Sequence, residues 1–362
     1  MKKLLTGILA AVLILALTAC GGGSQPAGST SPAAPAAGSS AAAGSTPADS
    51  AAPVVLIQLG HGNNPGSPID LGVNKWSEIL AEKSGGTMKM EIFPSEQLGS
   101  TPQLMDQMVA GDSVIVLADG AYYYDRGAKD MGILFGPYLF ETWDQCWTLI
   151  ESDWYKEQVD MMASKDGLQI LTSNWIYGER HTLTTFPVNS VADLKGKKIR
   201  VPNNTIQIKG FEVLGATPTP MNLGDVYTSL QQGTIDGLEN PVPVLENGKF
   251  QEVAKYLILD GHVRNFTTWI CGTKFFSTLT PEQQQWLIDS GNEAGIYNNQ
   301  LQNETLEDSL ELMKQQGVTV VEPSEEVMAE FRAAGAAFYE LPEFKSEWTE
   351  GLYDRIQEII NS

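Results

Sequence analysis

Two parts of the chain alternate strand and helix signals so closely that the pairing of their strands is dictated. The more informative one covers residues 195–241. Lys198-Ile199-Arg200-Val201 alternates polar and apolar residues, and Pro202 ends the ladder. Ile206, Phe211 and Leu214 then share one helical stripe that stops at Gly215. The TPTP of residues 217–220 forbids helix and favours an extended link. A short helix over residues 225–232 closes at Gly233, and residues 234–239 return as a strand ended by Asn240-Pro241. Strands separated by helices pair in parallel, so the stretch predicts an α/β unit. The order repeats upstream: a strand at residues 54–59 (VVLIQL), a helix over 71–83, a strand at 88–93, a helix over 102–110 and a strand at 113–118. With 362 residues, 42% of them hydrophobic, the chain can build two lobes with real cores.

The ends of these strands are where a ligand is expected. Open α/β sheets bind in the crevice beyond their carboxyl edge. Arg200 and Asn240 both fall there, and Asp119 follows the last upstream strand. An arginine offers a planar fork of donors that fits a carboxylate. By residue type alone, though, an arginine more often serves a surface salt bridge. Asn203, directly after RVP, and Asn240 are hydrogen-bonding candidates with turn chemistry as the alternative. The loop GHGNNPGSP after the first strand adds His61, Asn63 and Asn64 as polar wall residues. The tyrosines of residues 122–124 could line a ligand or pack against a helix.

DLKGKKIRVP followed by LGATPTPMNLGDVYTSLQQGTIDGLENP resembles the solute receptors of tripartite ATP-independent periplasmic (TRAP) transporters, the DctP family, and EKSGG…FP…QLG is similar to their amino-terminal domain. The resemblance runs from about Val54 to the C-terminus. It implies a two-lobed, periplasmic-binding-protein-like α/β fold with a hinge and a long helix spanning both lobes. It implies that Arg200, in IRVP, pairs with the substrate carboxylate. It places Arg180, in the G-E-R step similar to the family's G-x-R, at the same cleft, together with Asp119 and the aromatic Trp269. Leu223 departs from the pattern, standing where many relatives carry a ring over the substrate. The family takes C4-dicarboxylates, 2-oxo acids, sugar acids and aromatic acids, so the resemblance names a small organic acid and a TRAP-type permease as partners. Under it, lobe I is residues 54–177 plus about 266–305, and lobe II is 178–265 plus about 306–362. The spanning helix matches a strong start at Thr280-Pro281-Glu282-Gln283 (cap, proline, capping-box residue), after which only Gly291 and Gly295 interrupt until Gly317. About 35 residues of helix reach roughly 52 Å, more than one small lobe.

Upstream of the lobes, Lys2 and Lys3 followed by an apolar run to Leu17 read as an export signal over residues 1–19. Leu17-Thr18-Ala19-Cys20 resembles a bacterial lipobox, which makes Cys20 the lipidated first residue of the mature chain. Residues 20–53 are Gly-, Ser-, Ala- and Pro-rich, a flexible tether reaching about 30 Å. The expected site is therefore the extracytoplasmic face of the cell membrane. Removing Lys2 and Lys3 takes the net charge from -21 to about -23 (-21 minus 2), which argues against nucleic acid. Cys146 and Cys271 suit either a disulfide or two buried thiols.

No G-x-x-x-x-G-K-[ST] loop, G-x-S-x-G elbow or C-x-x-C occurs, and His61, His181 and His262 are not at ligand spacing. No cofactor, metal or catalysis is expected, and the receptor is expected to act as a monomer. A surface-anchored hydrolase would need a nucleophile and base that the sequence does not pair. A ligand-sensing domain would be favoured only without a permease partner. Cys20→Ser is expected to release the protein from the membrane; mass spectrometry finding an unmodified Cys20 in the wild-type mature protein would refute the anchor.

Overall fold

The computed structural model describes residues 54–362. The expected signal peptide, Cys20 and the tether lie outside the described residues. Nine strands form one sheet: β1 (Val55–Gly60), β2 (Met88–Phe93), β3 (Val114–Ala118), β4 (Leu168–Thr184), β5 (Lys198–Val201), β6 (Thr217–Pro220), β7 (Gly237–Pro241), β8 (Tyr256–Gly272) and β9 (Thr319–Val321). Their order is β2-β1-β3-β8-β4-β7-β5-β6, with β9 added beside β8. β2, β1 and β3 pair in parallel, as do β6, β5 and β7. These are the two α/β units that the alternation dictates.

What joins the units is a pair of long strands. β4 and β8 have 17 residues each and run antiparallel along one another from Leu168–Gly272 to Thr184–Tyr256. β8 pairs with β3 at one end, and β4 pairs with β7 at the other, so both strands belong to both lobes. β8 runs unbroken through residues 263–265, although Arg264 and Asn265 interrupt its apolar run. The strand continues because Arg264 turns out to Glu179 and the Phe140 carbonyl, and Asn265 is satisfied by the Phe266 carbonyl. Register slips where the strands pass between lobes, at Ile176/Gly178 and Arg180/Thr182. Gly178 there has φ 133°, and a Cβ on it would lie 2.6 Å from Cβ of Pro241, so no larger residue fits.

The long helix is present as Pro281–Gln315, 35 residues, with Thr280 and Gln283 forming the reciprocal cap. Gly291 and Gly295 do not break it. They lie against the tryptophan cluster of Trp76, Trp175 and Trp269, and let the helix approach it. Asparagines stitch the helix to β4: Asn298 Nδ2 donates to the Ile176 carbonyl (2.8 Å), Asn299 Nδ2 to the Asn174 carbonyl (2.7 Å), and Asn299 Oδ1 accepts from Ile176 N (2.7 Å).

The chain's end packs on two different surfaces. The helix Glu325–Ala336 packs near β8 and on the second lobe's cluster through Phe331. Phe338, Phe344, Trp348, Leu352, Ile356 and Ile360 instead join a core with Leu104, Leu149 and Tyr155 of the first lobe. The helix Leu352–Ile360 lies on the helix Trp143–Glu151. An amphipathic tail carries the pattern of its own face but not the address of the surface that covers it. Cys146 and Cys271 are both buried and free.

Gly291→Ala tests the close approach. In an open helix the change would stabilise by about 1 kcal/mol. Here the added Cβ would sit 2.6 Å from Thr172 Cγ2 and 2.7 Å from the Trp76 ring, so urea unfolding should show a loss of roughly 1–3 kcal/mol. A variant as stable as wild type would contradict the packing described.

Candidate functional site

One cavity gathers the carboxyl ends of strands from both units. Gly62 and Asn63 follow β1, Glu96 follows β2, Asp119 follows β3, Arg200 is the last residue but one of β5, Leu223 follows β6 and Asn240 is the last residue but one of β7. Tyr177 and Arg180 of β4 and Asn265 of β8 form its base. The cavity opens to solvent.

The two arginines have different partners. Arg180 is clamped by Glu239 of β7: Nε donates to Oε2, and Nη2 donates to Oε1 at 2.7 Å. Nη1 donates to Asn265 Oδ1 at 3.2 Å, and the guanidinium lies 5.6 Å from the ring centres of Phe135 and Tyr177. Its charge is thereby matched inside the protein. Arg200 is equally buried, at 3% exposure, yet it has no carboxylate partner. Its Nε and Nη2 both donate to the Met221 carbonyl, at 3.0 and 2.8 Å. Burial lowers the proton affinity of Arg200, but a guanidinium keeps its proton in proteins. Among the described residues this buried cation is thus held by a carbonyl and its charge is not matched by an acid.

Behind Arg180 the charges alternate through the sheet. His262 Nε2 lies 3.2 Å from Glu239 Oε2, and its Nδ1 lies 3.1 Å from Asp260 Oδ2. Asp260 also accepts from the backbone N and Oγ1 of Thr182, at 2.9 and 2.8 Å. Burial would push His262 down, but Asp260 and Glu239 outweigh it and raise it to about 9. Burial would push Glu239 up, but Arg180 and His262 hold it at about 2. His181, buried with its Nδ1 accepting from Gly261 N at 3.0 Å, is pushed down to about 4 by burial. Asp119 caps the helix Gly120–Asp125 through Ala121 N (3.0 Å); burial raises its carboxyl to about 6 against the pull of Arg180.

Of the sequence candidates, Arg200, Arg180, Asn240 and Asp119 meet in this cavity, with Asn63 and Tyr122. Asn240 is 2% exposed, and its Oδ1 has no protein partner. Trp269 does not reach the cavity: it is wholly buried between Trp76 and Trp175, because its position in β8 points into the first lobe's core. Asn203 is exposed and donates to Asn222 Oδ1 at 3.1 Å; it is the next residue, Asn204, that turns inward to cap the following helix. His61 is buried edge-on to Trp269, 3.4 Å from Asp70 Oδ1, below the cavity wall. Glu96, Glu239, Tyr177 and Asn265 were not singled out from the sequence. For Glu239 a signal existed: it lies beside Leu238 in a short strand at the centre of an α/β unit, and a buried acid needs a cation.

The model of the bacterial extracellular solute-binding proteins, family 7 (DctP), matches residues 59–346. The 2,3-diketo-L-gulonate-binding periplasmic protein YiaO of Escherichia coli (strain K12) is 32% identical over 268 residues, 73% of this chain and 80% of that protein. Among solved structures, a TRAP periplasmic solute-binding protein from Ochrobacterium anthropi with bound L-fuconate superposes with a TM-score of 0.81 at 38% identity, covering 85% of this chain and 100% of that one. Another, from Actinobacillus succinogenes 130z with bound L-galactonate, gives 0.81 at 36% identity, with 85% and 99% covered.

The charge chain predicts an alkaline weakness. A histidine raised from 6.5 to about 9 stabilises fully below the lower value and loses that contribution as pH rises through the upper one. The melting temperature should therefore fall between pH 6.5 and 9. His262→Gln should melt lower at neutral pH and lack that slope. Parallel profiles for the two proteins would show that His262 is not the imidazolium described.

Proposed function

The chain belongs to family 7 of the bacterial extracellular solute-binding proteins, the DctP family, and from that premise we propose that it captures a sugar acid outside the cytoplasm and delivers it to a TRAP-type permease. Arg200 carries the reading, as a buried cation at the cavity wall whose only acceptor among the described residues is the Met221 carbonyl. A ligand carboxylate would take its remaining donors. The unpartnered Asn240 Oδ1 and the side chains of Asn63, Gln207 and Tyr177 suit the hydroxyls of a polyhydroxy chain, while Leu223 offers an apolar contact in place of a ring. The relatives that hold L-fuconate and L-galactonate support the ligand class.

Capture works by closure. The two lobes turn about β4 and β8, and closing on the ligand excludes water from the arginine-carboxylate contact. We place residues 54–177 and about 266–305 in one lobe and 178–265 in the other, with the chain's final segment returning to the first. The protein serves as a receptor, with no reaction assigned to it. Cys20 carries the lipid, and residues 21–53 let a monomeric receptor reach the permease while staying at the membrane.

Calorimetry against L-fuconate, L-galactonate and galacturonate, with analysis of the recovered ligand, tests the reading; a chemically altered ligand would favour the hydrolase. Leaving a ligand carboxylate buried and unpaired costs about 2–5 kcal/mol, roughly thirty- to several-thousand-fold in affinity. Arg200→Ala should lose at least about thirtyfold while keeping its melting temperature, because only a carbonyl is left behind. Arg200→Lys should recover part. Arg180→Ala should melt lower, by about 3–5 kcal/mol of stability, because Glu239 is stranded. Near wild-type affinity in Arg200→Ala would place the carboxylate anchor elsewhere.

A further inference from the structure

The cavity holds more negative charge than an anion receptor needs. Arg180 is matched by Glu239, and His262 by Asp260. That leaves Arg200 as the one cation on the wall without an anionic partner among the described residues, facing two carboxyl groups, Glu96 and Asp119. Asp119 has a structural task as a helix cap. Glu96 has none: no hydrogen bond or ion pair from its side chain is made within the described residues.

The backbone nevertheless goes to some trouble to present Glu96. Ser95 and Glu96 are consecutive non-glycine residues at φ 53° and 59°, a left-handed conformation that costs about 1–3 kcal/mol each. The loop is fastened to the segment after β1 by Ser95 N to the Asn63 carbonyl (2.9 Å), Glu96 N to the His61 carbonyl (3.0 Å) and Ser95 Oγ to Asn64 Oδ1 (3.0 Å). The Glu96 side chain lies along Gly62, close enough that a Cβ there would be in ordinary contact with it, 3.7 Å from Oε1. Burial raises the proton affinity of Glu96, and the nearby Arg200 pulls it back. Glu96 is thus a half-buried acid on a left-handed backbone, lining the same cavity as Arg200 and feeling its charge, and it has a use with an acidic ligand. It accepts a hydroxyl at the end away from the ligand's carboxylate.

We propose that Glu96 makes this site selective for singly charged polyhydroxy acids, its carboxylate accepting a ligand hydroxyl and turning away a second negative charge. One ligand carboxylate neutralises Arg200. A second carboxylate or a phosphate dianion finds no cation to meet and faces Glu96 and Asp119, a like-charge contact worth several kcal/mol. Dicarboxylates and sugar phosphates are thereby excluded, while aldonates and uronates pass. The inference rests on the sugar-acid reading for its hydroxyl contact, but the charge rule stands on the residues alone.

The test is a matched pair. L-galactonate and galactarate share a six-carbon hydroxylated chain and differ by one carboxylate. Titrated calorimetrically at neutral pH and fixed ionic strength, wild type should bind galactarate about a hundredfold more weakly than L-galactonate. Glu96→Gln keeps the shape and removes the charge. It should shrink that ratio by about tenfold or more and weaken L-galactonate itself several-fold. Equal binding of the pair by wild type, which needs no variant, overturns the proposal, and so does an unchanged ratio in a folded Glu96→Gln. If neither sugar acid binds, the sugar-acid reading fails. The charge rule is then read from 2-oxovalerate against 2-oxoglutarate, where a wild-type preference for the dianion overturns it.

Discussion

The ion pair between Arg180 and Glu239 holds the middle of this molecule together. It ties β4 to β7 at the depth where the sheet passes from one lobe to the other, and His262 and Asp260 extend it into β8. Four charges of alternating sign, all buried, sum to zero. Each would be costly alone, since a lone buried ion pays a desolvation penalty of several kcal/mol. Together they fix the relative positions of three strands at the floor of the cavity. Their neutrality leaves Arg200, Glu96 and Asp119 as the charges on the cavity wall without a matched partner among the described residues. A chain with a net charge of -21 cannot draw an anion in from a distance, so any attraction it offers one must act at contact range.

The parts of the fold set by local chemistry were legible in the sequence. Polar-apolar alternation and Pro202 bounded β5, and Thr280-Pro281-Gln283 marked the start of the long helix. The same logic put Arg200, Asn240 and Asp119 at strand ends and hence in one crevice. What escaped notice depends on partners distant in the chain. Arg180 and Glu239 are 59 residues apart, and nothing local says that one neutralises the other. Glu96 sits in a turn whose left-handed backbone has no glycine to announce it. Trp269 was misplaced for a related reason. Alternation along β8 assigns it a face, but which face looks to the cavity and which to Trp76 is settled by the register with β4 and β3. The tail helices show the limit from the other side, because their apolar faces fit more than one surface.

The tryptophan cluster explains why the long helix can be so polar. Trp76 Nε1 donates to Ser290 Oγ at 3.0 Å, and Trp175 Nε1 donates to the Gly291 carbonyl at 3.0 Å. With glycines beneath the rings and asparagines on either side, the helix is held by directed bonds rather than by an apolar stripe. Such contacts fix its rotation and its axial position together.

That attachment has a mechanical consequence. The asparagine stitches end at Asn174 and Ile176, two residues short of Gly178, where the register of β4 slips. On one side of that point the long helix is bonded to β4; beyond it the same helix reaches the second lobe, where Met313 packs with Leu183 and Val226. One rod thus ties the two α/β units together by two kinds of contact. Hydrogen bonds fix its rotation at one end, and side-chain packing holds it at the other.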